Sequence, residues 1–146
     1  MLTRRFLLSW MLSSVLMWGL SYVWHGIFLN DIANLSYPKG IYLVASTVVY
    51  LAIGMVLTKL YTLQFVIHTL QNFFIRGIVC GAVTGLLFYM FALVIGVSFS
   101  KHISLGDMAI DIPWQLFEQI FGGIIIALVF VIIYEPIPRN RSEDIV

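Results

Sequence analysis

Residues 112–123, IPWQLFEQIFGG, set one acid and two amides into an otherwise apolar run. Gln115, Glu118, Gln119 and Gly122 stand at i, i+3, i+4 and i+7, which is one face of an α-helix. A carboxylate between carboxamides can hold a proton, coordinate a cation or hydrogen-bond a polar solute. A second ionisable group lies in WGLSYVWHGIFLND, residues 18–31, where His25 has apolar and aromatic neighbours. Ser14, Trp18, Ser21 and His25 follow helical spacing, and Tyr22 is one turn from the imidazole. His25, Glu118, Gln115, Gln119 and Tyr22 are therefore the expected lining of a polar pocket for a proton, ion or small solute.

The elements that would position these residues follow from composition. Hydrophobic residues make up 61% of the chain and charged residues only 10%, whereas a soluble domain is roughly a quarter charged. Four apolar runs approach the length of about 20 residues that a bilayer core requires. They are Phe6 to Leu29, Ile41 to Tyr61, Gly77 to Ser98, and Ile112 to Tyr134. GGIIIALVFVIIY is apolar on every side, which suits a lipid-exposed helix and not the alternation of a barrel strand. The expected fold is an all-α integral membrane protein, a bundle of four transmembrane helices in a single domain with a polar tail from residue 135. The first run is longer than the roughly 7–15 residues of a signal-peptide core and lacks a small-x-small cleavage site, so it is read as a retained span.

Four spans place Arg4, Arg5, Lys59, Arg76, Arg139 and Arg141 on one side, against Lys39 and Lys101 on the other. The positive-inside rule makes the first side cytoplasmic, with both termini inside, as expected for a bacterial inner-membrane protein. Glu118 then lies roughly 9 Å below the outer end of its span and His25 roughly 6 Å below the end of its own. At similar depth the two can pair, partly offsetting the burial of each. They can also reach upward to water, or lock spans one and four together without any ligand.

Gly77, Gly81 and Gly85 repeat every fourth residue on one face of span three. That spacing lets two helix backbones approach closely, either within the bundle or across a homo-oligomer seam. TLQFVIHTLQNFFIR, residues 62–76, mixes apolar residues with Gln64, His68, Gln71 and Asn72 and reads as a short interfacial helix before span three.

Other chemistry finds little footing. Cys80 is the only cysteine and lies within span three, so neither an intrachain disulfide nor a multi-cysteine metal site can form. A metal on His25 and Glu118 would need Asp31, Asp111 or His102 as well, and no ligand spacing supports one. No G-x-S-x-G or Gly-rich phosphate loop occurs, so no metal, cofactor or catalytic residue is assigned. A net charge of +1 implies no nucleic-acid partner. The expected partner is the lipid bilayer. Helix-mediated assembly, as a homo-oligomer or accessory subunit, is the alternative to the polar-pocket function.

Overall fold

A computed structural model describes residues 3–30, 38–99 and 105–133. Among them the backbone is helical throughout, apart from short joints. Helix α1 (Arg4–Tyr22) runs into a π-helical turn (Val23–Phe28), followed by α2 (Lys39–Thr62), α3 (Gln64–Thr69), α4 (Phe73–Phe99) and α5 (Leu105–Ile132). Four stretches are long and apolar enough to cross a membrane: Arg4–Phe28, Lys39–Thr62, Phe73–Val94 and Ile110–Ile132. The tail from residue 134, the first-loop segment 31–37, and the side chains of Lys101, His102 and Asp107 lie outside the described residues.

Helices α1 and α4 start where a side chain accepts from free N–H groups of the first turn. Thr3 Oγ1 accepts from the Phe6 amide at 3.3 Å. Asn72 Oδ1 accepts from the amides of Phe74 and Ile75 at 3.0 and 3.2 Å, an N-cap that starts α4 a full turn before Gly77. Leu63, with φ −63° and ψ 131°, breaks α2 from α3. Residues 64–69 thus form a separate short helix and residues 70–72 a capped joint, while residues 73–76 are the first turn of the third long helix. Pro113 lies in the interior of α5, the ninth residue of a helix that begins at Leu105, so one backbone hydrogen bond of the helix is missing there.

Helix α1 packs on α2 and α5, and α4 packs on the same two, so the ring order is α1, α2, α4, α5. Neighbours run antiparallel. Trp10 Nε1 donates to the Leu51 carbonyl and Trp18 Nε1 to Ser46 Oγ, at 2.7 and 3.1 Å. The α4–α5 pair approaches closest. A Cβ placed on Gly77 would lie 2.5 Å from the Gly123 carbonyl oxygen, and one on Gly81 would collide with the Gln119 carbonyl. A Cβ on Gly85 would stand 3.1 Å from the Gln119 side chain. The glycine face is therefore spent on α5, inside the chain.

Burial is distributed unlike that of a soluble bundle. An apolar cluster of Met17, Ile53, Leu57, Tyr61, Cys80, Ile126 and Ala127 fills one half of the interior. Also buried are Ser9, Ser13, Ser14, Ser21, Thr58, Thr84, Glu118 and Gln119. The outward faces carry large apolar side chains, such as Val15, Val44, Val94 and Ile132, between 62% and 75% exposed. A surface as apolar as the interior is the arrangement expected where the surrounding medium is itself apolar.

Candidate functional site

Glu118 and Gln119 point into the bundle, 1% and 0% exposed. Helix α5 can bring them there because its backbone lies against glycines on α4, drawing the helices close at this level. The polar partner that the structure brings to Glu118 is Tyr50 of α2. The Tyr50 hydroxyl lies close enough to the Glu118 carboxylate and to the Ser21 hydroxyl of α1 to interact with both. Three helices thus bring together three groups that carry exchangeable protons, Ser21, Tyr50 and Glu118. Glu118 Oε1 and both polar atoms of the Gln119 amide have no hydrogen-bond partner among the described residues. Thr84 Oγ1, buried on α4 beside Gly85, is likewise unpartnered. Buried polar groups are normally satisfied, and an unsatisfied one costs about 1–3 kcal/mol. Four such atoms on adjacent helices at one level mark a place able to hold something polar.

The five residues expected from sequence are distributed across this region and are not gathered into one pocket wall. Gln115 is half-buried, and its carbonyl lies toward Gly85. Tyr22, 42% exposed, lines a cleft between α1 and α2 with Trp18, Ser21, Tyr42, Ser46 and Tyr50. His25 sits half-buried in the π-helical turn. The register sets its depth: Met17 packs on Gly122, and Trp24 stacks on Trp114 at 4.3 Å with an interplanar angle of 11°. Ser21 therefore falls level with Glu118, and His25 falls about one turn nearer the end of the bundle. The α spacing that aligns Ser14, Trp18 and Ser21 stops at Tyr22, since the π turn winds more slowly and changes the direction of each later side chain.

Tyr50 is the site residue that sequence reasoning passed over. Besides standing next to Glu118, it borders a second groove of about 240 Å³ with Ser14, Val15, Trp18, Thr47 and Leu51. It therefore connects the α1–α2 surface to the buried acid. A signal was present: Ser46, Tyr50, Gly54 and Thr58 recur every fourth residue along an apolar span, the helical spacing of a small and polar stripe. Among the described residues no group of three or more His, Cys, Asp or Glu could hold a metal ion.

The fold and site together define a four-helix bundle with an apolar exterior and a buried acid–amide–phenol cluster. Comparison with protein-family models, curated proteins and solved structures finds no match for this chain.

Proposed function

We propose that this chain is a small multi-pass membrane protein that binds or moves a proton, small cation or small polar solute at the Glu118 site. The observation that carries the reading is the fully buried Glu118–Gln119 pair with three unpartnered polar atoms, joined through Tyr50 to a groove on the bundle surface. Ionisable groups inside a membrane are expensive and usually serve ion or proton pathways. Ser21 and Tyr50 supply hydroxyls that can pass a proton to or from the carboxylate. Gln119 supplies both a donor and an acceptor for a bound solute. His25 and Tyr22 stand toward the mouth, and Gln115 stands beside the acid on α5.

The membrane reading is supported by the exposed apolar faces and by the collection of Arg4, Arg5, Lys59 and Arg76 at one end of the bundle. That end is assigned to the cytoplasm of a bacterial inner membrane. Impermeant thiol labelling in a Cys80→Ser background checks it. Cysteines at Ser36 and Ser104 are expected to react in intact cells, and a cysteine at Gln71 only after permeabilisation. Labelling of the Gln71 position in intact cells would reverse the orientation.

The functional test uses purified chain in vesicles that enclose a pH-sensitive dye, under an imposed membrane potential. Wild type is expected to pass protons faster than protein-free vesicles, and Glu118→Gln to abolish most of that flux. A parallel titration of alkali cations and small polar solutes, read by thermal stability, covers binding without movement. Equal behaviour of wild type and Glu118→Gln in both assays would remove the proposal.

A further inference from the structure

A second cavity lies at the end of the bundle that carries Arg4 and Lys59, away from Glu118. Its volume is about 530 Å³, within the roughly 300–1,000 Å³ typical of small-ligand pockets. Arg5 of α1, His68 of α3 and Arg76 of α4 line it, with Gln71 from the joint before α4. Among the described residues no carboxylate lines it. Ile67, Phe73 and Phe130 form apolar wall beside these donors.

Arg76 gives the cavity its character. The residue is only 5% exposed, yet its guanidinium reaches the wall. Nε donates to the Leu70 carbonyl at 2.8 Å and Nη2 to the Gln71 carbonyl at 3.4 Å. The guanidinium carbon also lies 5.1 Å from the Tyr61 ring centre and 5.3 Å from that of Phe73. These contacts hold the planar fork in one orientation, while among the described residues Nη1 remains outside both hydrogen bonds. A fixed guanidinium loses little freedom on binding, and its geometry suits the oxygens of a phosphate. An anion would complete the environment of the buried Arg76 guanidinium, which faces a cavity with no acid among its described lining.

We propose that this cavity binds a phosphate-bearing anion, with Arg76 and Arg5 as the principal charge partners and His68 and Gln71 as further donors. Two sources share that chemistry. One is the headgroup of an anionic phospholipid, whose glycerol and upper acyl carbons would lie on Ile67, Phe73 and Phe130. Basic pockets between helices at the cytoplasmic surface suit such headgroups. This source rests on the membrane reading given above. The other is free phosphate, which does not.

The test titrates the purified 146-residue chain in an uncharged maltoside detergent at constant ionic strength, with unfolding temperature as the readout. The probes are short-chain phosphatidylglycerol, the matched phosphatidylcholine and inorganic phosphate. A saturable rise with phosphatidylglycerol alone supports the site and identifies lipid; a saturable rise with inorganic phosphate supports it and identifies a soluble anion. In either case Arg5→Gln and His68→Gln are each expected to raise the half-saturating concentration, Arg5→Gln by roughly tenfold. The ligand-free unfolding temperature of His68→Gln should stay close to wild type, since His68 is exposed. Arg76→Lys keeps the charge but loses the fork, and is expected to weaken binding in proportion to any stability it retains. No saturable response to either anion, an equal response to phosphatidylcholine, or half-saturation unchanged in both Arg5→Gln and His68→Gln would overturn the proposal. The Glu118 reading is untouched by any of these outcomes, because none of the altered residues belongs to that site.

Discussion

Gly81→Leu is expected to leave little folded protein. The position faces the α5 backbone, where even a methyl group would collide with the Gln119 carbonyl and approach the Ile120 Cα at 2.7 Å. Neither obstacle is a side-chain end that can swing away. The helices must separate, and separation would also pull Gly77 from Gly123 and expose the buried Gln119. Overpacking alone costs about 1–3 kcal/mol, and more where backbone has to move, so a loss of about 3 kcal/mol or greater is expected. Two substitutions calibrate the result. Ala92→Leu, at an exposed position on the same helix, should change stability little. Gly19→Ala, with no atom within 4 Å of the added carbon, should be neutral or stabilising by up to roughly 1 kcal/mol through helix propensity. Thermal unfolding and elution volume in detergent measure all three. An unchanged unfolding temperature for Gly81→Leu would show that α4 and α5 do not pack as described.

The second large effect concerns the Tyr50–Glu118 contact. Tyr50→Phe keeps the ring and deletes the hydroxyl that stands beside Glu118 and Ser21. Glu118 already has one unpartnered oxygen, so the substitution should cost about 1–3 kcal/mol by leaving further buried polar groups unsatisfied. Glu118→Leu removes the acid instead. Combined, Tyr50→Phe and Glu118→Leu should recover much of the loss, because a polar contact replaced at both ends by apolar groups is often close to neutral. A coupling of about 1 kcal/mol or more is expected from the cycle. The same cycle on His25→Phe and Glu118→Gln should be additive within about 0.5 kcal/mol, as expected for groups on different levels of the bundle. If the His25 cycle couples strongly and the Tyr50 cycle does not, the acid is turned toward the mouth and the register argument fails. The variants also separate structure from function: the apolar double replacement should be stable and inactive in the vesicle assay.

Several features of this architecture are local properties and were open to reading from the residue string. Four apolar runs separated by charged and helix-breaking residues give four long helices, because run length and hydropathy need no knowledge of neighbours. The i, i+3, i+4 spacing of Gln115, Glu118 and Gln119 locates a polar face on α5. The every-fourth glycines of α4 announce close backbone packing. That these glycines receive α5 is decided only by the bundle, since the matching surface, Gly123 and the Gln119 backbone, lies on another helix. The acid's partner was illegible for the same reason. Sequence spacing estimates depth by counting from span ends, so it favoured His25, the other ionisable group near that depth. The register between α1 and α5 is set by Met17 seating on Gly122 and Trp24 stacking on Trp114, which lifts His25 above Glu118. Ring order then places α2 next to α1 and brings Tyr50 to the carboxylate. Periodicity within one helix determines which face is polar; which residue answers it across the interface is fixed by helix order, register and the π turn, and these emerge only when all four helices pack.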